Sequence, residues 1–150
     1  MLLSNGNIYL DYNATTPIDP AVLEAMEPFN RSHFGNPSSN HSLGKYNRQA
    51  IDIARGQVGG LLGCDAGNVI FTSGGSESNN MALKGVASRG SARGQHIIVS
   101  RVEHPAIMNV VQYLQHQGFR ITYLPVDSQG VVRADDLEEI ITSKTILVSV

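Results

Sequence analysis

Phe71-Thr72-Ser73-Gly74-Gly75-Ser76-Glu77-Ser78-Asn79-Asn80 reads as the turn that carries a chain from a β-strand into a helix. The residues before it, Val69-Ile70-Phe71-Thr72, are β-branched and aromatic and form a candidate strand; residues 77–87 after it have helical character. The N–H groups of a helix's first turn have no partner inside the helix, and the aligned peptide dipoles place partial positive charge there. Glycines let a ligand approach the backbone, and a serine hydroxyl adds a further donor. The junction is therefore a candidate phosphate cup. The plainer alternative is that Ser76 caps the helix and the glycines make the turn. It is neither a dinucleotide fingerprint nor a P-loop, because Gly-x-Gly-x-x-Gly is absent and no Gly-Lys-Ser/Thr follows.

Downstream, short apolar runs alternate with helical periodicity, the order expected of βαβ units around a parallel sheet. His96-Ile97-Ile98-Val99-Ser100 is nearly continuous in its apolar character and reads as a strand buried on both faces. From Pro105 to Gln117, the residues Ile107, Val110, Val111 and Leu114 recur at helical spacing between an opening proline and a closing Gly118. Residues 119–124 read as the next strand, Asp127-Ser128-Gln129-Gly130 as a turn, and Leu137, Ile140 and Ile141 mark a short helix. Thr145-Ile146-Leu147-Val148-Ser149-Val150 is a last apolar strand, expected to hand over to further chain.

Upstream, Ile8-Tyr9-Leu10-Asp11 is a short extended piece and residues 21–29 form a helix. Phe34-Gly35-Asn36-Pro37-Ser38-Ser39 is a loop of turn formers. Residues 43–62 read as a longer helix in which Gly56, Gly59 and Gly60 each cost up to ~1 kcal/mol relative to alanine, so packing must hold it. The expected organisation is an N-terminal arm with helices over 1–65, packed on an α/β core over 66–150.

The chain's 150 residues, 41% hydrophobic and 16% charged, are enough to build a core without cross-links. One cysteine, Cys64, excludes an intrachain disulfide framework and fits a reducing, cytoplasmic setting. Eleven basic against thirteen acidic residues, with no basic run, remove the usual electrostatic support for nucleic-acid binding. Met1-Leu2-Leu3-Ser4-Asn5-Gly6 lacks the basic start and apolar stretch of a secretory leader, and no segment approaches the ~20 apolar residues of a membrane span.

Arg101-Val102-Glu103-His104-Pro105 directly follows the strand ending at Ser100. Ligands of open parallel sheets bind outside the carboxyl ends of the strands, so His104 and the Gly74-Gly75-Ser76 turn are expected to face one crevice. An imidazole there can stack on an aromatic cofactor and move protons, and taken alone it is equally an exposed loop histidine. The five histidines show no His-x-x-x-His spacing and one cysteine gives no zinc pattern, so no metal site is expected. Cys64 falls at the C-terminal end of a helix, where the dipole opposes a thiolate. Glu138-Glu139 beside Asp135-Asp136 is the solvated face of the last helix.

Three motifs in order, Tyr9-Leu10-Asp11-Tyr12-Asn13-Ala14-Thr15-Thr16-Pro17, Phe34-Gly35-Asn36-Pro37-Ser38-Ser39 and Phe71-Thr72-Ser73-Gly74-Gly75-Ser76-Glu77-Ser78-Asn79, together resemble the cysteine desulfurases. Their relatives the selenocysteine lyases share the pattern, within the class V aminotransferase family of pyridoxal 5'-phosphate (PLP) enzymes. The resemblance implies an α/β fold of the fold type I PLP-dependent transferases, a mainly parallel sheet flanked by helices, incomplete at the C-terminus, and a homodimer. By resemblance Gly75 and Ser76 hold the PLP phosphate, with Ser76 in place of the more common threonine. His104 stacks on the pyridine ring and helps transfer protons as the catalytic residue. Ala14 and Thr15 line the substrate pocket, and Asn36 and His41 lie in a loop that approaches it.

The implied reaction converts L-cysteine to L-alanine and passes persulfide sulfur to an acceptor protein, as in iron–sulfur cluster assembly. It needs a lysine to hold the cofactor, a carboxylate opposite the pyridine nitrogen, an arginine for the substrate carboxylate and a cysteine to take the sulfur. In the family all four lie beyond the equivalent of Val150. Lys45, Lys84, Lys144 and Cys64 match none of these roles. The chain is thus expected to be the N-terminal portion of the enzyme, inactive alone. The alternatives are a selenocysteine lyase or another class V enzyme, and, in a different class, a truncated non-catalytic phosphate-binding or interaction module.

Overall fold

The computed structural model describes residues 6–150; the leader reading of the first residues falls largely outside the described residues. The chain forms two compact units that divide between Ile70 and Phe71.

In the first unit, α1 (Pro20–Arg31) starts where Asp19 Oδ1 accepts the Ala21 N–H at 2.8 Å and Pro20 occupies the first helical position. α2 (Ser42–Leu62) starts at His41, whose Nδ1 accepts the Gly44 N–H at 3.3 Å, and stops at Gly63 in the left-handed region at φ 67°. Of the glycines that weaken α2 intrinsically, Gly59 sits where the helix is packed, whereas Gly56 and Gly60 face open space. A Cβ on Gly59 would lie 2.8 Å from the Cys64 carbonyl oxygen, because the 3-10 turn Ala66–Asn68 folds back onto the helix. Residues 8–11 lie outside any helix, with an isolated bridge at Ile8.

The second unit is a parallel three-stranded sheet in the order β2-β1-β3, with β1 (His96–Ser100) central, β2 (Arg120–Leu124) and β3 (Thr145–Ser149). α3 (Gly75–Gly90) precedes β1, α4 (Pro105–His116) links β1 to β2, and α5 (Ala134–Ile140) links β2 to β3. All five residues of β1 are buried, the outcome expected for an apolar strand between two neighbours and two faces. Ile97 and Val99 pack with Leu83 and Ala87 of α3 and with Val110, Val111 and Leu114 of α4. The register of β3 slips between His96 and Ile97, which lets Ile146 and Leu147 both reach this core. Gly90 lies against Ile146, where a Cβ would meet Cδ1 at 3.0 Å.

One expected strand is absent. Val69-Ile70-Phe71-Thr72 forms no ladder, because the sheet's three strands all come from later in the chain. Ile70 and Phe71 remain 64% and 47% exposed, so β-propensity without a partner strand has produced only an irregular approach to α3. Among the described residues no helix is long and apolar enough to cross a membrane.

Candidate functional site

α3 and α4 pack side by side in the second unit. Lys84 lies nine positions after Gly75 and Tyr113 eight after Pro105, and the Lys84 ammonium sits 4.7 Å from the centre of the Tyr113 ring. Both helices end at the amino edge of the sheet, where Ser91 after α3 and Gly118 after α4 line one cavity with His96 and Arg120, so they run parallel and both start toward the carboxyl end of β1. That register brings the Gly75-Ser76 turn and His104 to the same end of the unit.

Gly74 is the cap position of α3 and offers no side-chain acceptor to the first turn. The other polar side chains tie the turn together. Glu77 Oε2 accepts the Ser73 N–H at 2.6 Å and the Ser73 hydroxyl at 2.7 Å. Thr72 and Ser78 share a hydroxyl–hydroxyl bond at 2.6 Å, both also reach the Gly74 carbonyl, and Asn80 Nδ2 donates to the Ser76 carbonyl at 2.9 Å. The Ser73 N–H, and then its hydroxyl, hold the Glu77 carboxyl below its ordinary range. Among the described residues the N–H groups of Gly75 and Ser76 and the Ser76 hydroxyl take no protein partner. No atom lies within 4 Å of where a Cβ on Gly74 or Gly75 would stand. These outward donors at a helix start fit a phosphate group.

His104 caps α4, its Nδ1 accepting the Ala106 N–H at 3.0 Å, and its ring is exposed. A neutral imidazole that accepts at Nδ1 carries its proton on Nε2, so the outward edge of His104 is a donor.

The other expected residues belong to the first unit. Ala14 and Thr15 form an exposed turn in which both N–H groups bond the Asp11 carbonyl, and the Tyr9 hydroxyl donates to the Thr15 carbonyl at 3.0 Å. Asn36 Oδ1 accepts the Ser38 N–H at 2.8 Å, leaving Nδ2 as its outward group. α2 holds this loop by its backbone. Asn47 Nδ2 donates to the His33 carbonyl at 2.7 Å and to the Gly35 carbonyl, Arg48 Nε donates to the Pro37 carbonyl at 2.8 Å, and a Cβ on Gly44 would lie 2.7 Å from the Asn36 carbonyl oxygen.

Asn36 and His41 in the first unit, and Ser76 and His104 in the second, each present a hydrogen-bond donor of the kind that binds phosphate or carboxylate oxygens. Sequence reasoning passed over Glu77, Asn47 and the capping role of both histidines. A histidine two or three residues before a helix position with a free N–H is the linear sign of such a cap. Cys64 is exposed in the turn after α2, and among the described residues no three His, Cys, Asp or Glu side chains gather to hold a metal.

The sequence profile of the aminotransferase class-V family matches residues 8–150. The chain belongs to the aminotransferase class-V family. Cysteine desulfurase IscS of Dictyoglomus turgidum is 51% identical over 143 residues, covering 95% of this chain and 36% of that protein. Cysteine desulfurase IscS 1 of Archaeoglobus fulgidus is 48% identical over 142 residues, with 95% and 37% covered. Among solved structures, a NifS-like protein superposes with a TM-score of 0.86 at 40% identity, covering 91% of this chain and 37% of that one. SspA in complex with cysteine gives 0.86 at 38% identity, covering 93% and 40%. This class-V chain therefore spans a little over a third of the length of its curated relatives, with their fold.

Proposed function

We propose that the chain supplies part of a PLP-dependent cysteine desulfurase that converts L-cysteine to L-alanine and passes the sulfur to an acceptor protein. The observation that carries this reading is the start of α3, where two backbone N–H groups and the Ser76 hydroxyl face outward at the same end as His104. Similarity to cysteine desulfurases over nearly the whole chain supports it. PLP, when bound, supplies the electron sink for bond breaking next to the amino acid's α-carbon. Gly75 and Ser76 would hold its phosphate. His104 would lie against its ring and supply a proton from Nε2, while Ala14, Thr15, Asn36 and His41 would bind the amino acid, with Asn36 and His41 donating to its carboxylate. Residues 66–150 are the first part of the large cofactor domain and 1–65 the arm and helices. A homodimer in the cytoplasm completes the reading.

The test uses the longer protein that contains this chain. Ser76→Ala removes one charge-assisted phosphate bond, worth roughly 1.5–3 kcal/mol, and is expected to weaken PLP retention at least tenfold. Unchanged retention, measured by visible absorbance after dialysis, would remove Ser76 from the cup. The isolated 150-residue chain with PLP added is expected to release no alanine or sulfide from cysteine, because no lysine stands in the attachment role.

A further inference from the structure

A carboxylate at the third position of a helix commonly turns back and bonds the N–H of the cap residue. In α3 that residue is Glu77 and the cap is Gly74, so such a turn would bring the chain's own negative charge to the edge of the cup. The structure shows a different outcome. Ser73, one residue before the cap position, presents both an N–H and a hydroxyl to Glu77 Oε2, at 2.6 and 2.7 Å. The Gly75 and Ser76 N–H groups are left for a ligand. Thr72 and Ser78 bind each other across the same turn and both reach the Gly74 carbonyl, so the segment is closed from both flanks.

We propose that Glu77 is the positioning residue of the α3 cup: its bonds to Ser73 set the backbone of residues 73–76 in the phosphate-accepting shape before any ligand arrives, and hold its charge off the cup. This rests on reading the cup as a phosphate site. The carboxyl, held below its ordinary range by the same two bonds, stays ionised and keeps both acceptors at neutral pH. Preorganised donors spend no binding energy on ordering the loop.

The test compares Glu77→Ala, Glu77→Gln and Ser73→Ala in the longer protein, reading amide exchange of residues 73–78 without cofactor and the binding of PLP, pyridoxal and inorganic phosphate. Glu77→Ala is expected to speed exchange at Ser73 and to weaken PLP roughly tenfold while pyridoxal, which lacks the phosphate, is unaffected. Glu77→Gln, whose amide oxygen still accepts, restores most of the difference, and Ser73→Ala gives an intermediate loss. Tighter PLP binding in both Glu77 variants would show a merely repulsive neighbour and overturn the proposal, as would unchanged exchange with an unchanged PLP-to-pyridoxal ratio. If the unsubstituted protein binds neither PLP nor pyridoxal, the functional reading fails, and the exchange rate at Ser73 still decides whether Glu77 sets the turn.

Discussion

His104 Nδ1 accepts the N–H of Ala106 at 3.0 Å, so one ring nitrogen caps a helix and only the other faces outward. A single side chain thus has a structural duty and a chemical one, and substitutions can separate them. His104→Asn keeps a capping oxygen and is expected to hold the unfolding midpoint near the parent value. His104→Ala loses the cap, about 1 kcal/mol of stability. Both remove the ring and are expected to change PLP's visible absorbance alike in the longer protein. Equal thermal stability of the two variants would show that the cap contributes nothing.

Asn47 is buried at 8% exposure and spends both amide hydrogens on the carbonyls of His33 and Gly35. Asn47→Leu strands those carbonyls and is expected to cost about 1–3 kcal/mol in chemical denaturation. Gly44→Ala pushes on the same loop from a different atom, against the Asn36 carbonyl. Both variants should speed amide exchange at Ser38 and Ser39, whereas Lys45→Ala on the exposed side of α2 should leave it alone. Slow exchange in both loop variants would mean that α2 does not hold the loop.

His96 is the buried polar centre of the sheet's amino edge, bonded at 2.8 Å to Thr145 through Nδ1 and at 2.8 Å to Thr122 through Nε2. Burial first, and then the charge of Arg120, hold its imidazole below the ordinary value of 6.5. Arg93 and Lys144 line with it a cavity of about 570 Å³. The unfolded chain takes up a proton that the folded chain resists. The contribution of His96 is therefore complete above pH 6.5 and is lost as the pH falls from there through the folded-state value. Urea midpoints measured from pH 8 to pH 5 should decline, and His96→Gln should flatten that decline. Glu77 and Asp127, both held low by bonds from backbone N–H groups, lose their contributions in more acid solution, as the pH falls from the ordinary carboxylate values through their lower folded-state ones.

Gly94 is enclosed by the backbone of Lys144, 2.7 Å from its carbonyl carbon to the position of a Cβ, where the His96 N–H bonds the Lys144 carbonyl at 3.1 Å. Gly94→Ala forces β3 away from the start of β1 and is expected to lower stability by about 1–3 kcal/mol. The exposed Gly60→Ala, with nothing within 4 Å, should raise it by a few tenths up to ~1 kcal/mol, and thermal unfolding of the pair reads the contrast.

The parts of this fold legible in the sequence are those set by local pattern. Ile97, Ile98 and Val99 announce a buried strand by being apolar in succession, and Ile107, Val110, Val111 and Leu114 announce a helix by spacing alone. Val69-Ile70-Phe71-Thr72 has the same local signal and forms no strand, because pairing is a property of two segments and one sequence window cannot supply the second. The site divides in the same way. The donors of Gly75 and Ser76 follow from a glycine-serine helix start. Glu77 turning to Ser73, or Asn47 reaching residues 33 and 35, depends on which rotamer and which loop meet in space.

Because α3 and α4 run parallel and both start toward the carboxyl end of the sheet, their peptide dipoles add there, about half an elementary charge from each. A chain of net charge -2 thereby builds a positive pole from amide bonds, with no lysine or arginine required at the cup itself. The amide contribution to this pole carries no titrating group, unlike the His104 and Glu77 side chains that stand beside it. That part of its pull on an anion should stay constant across the pH range in which side-chain charges come and go.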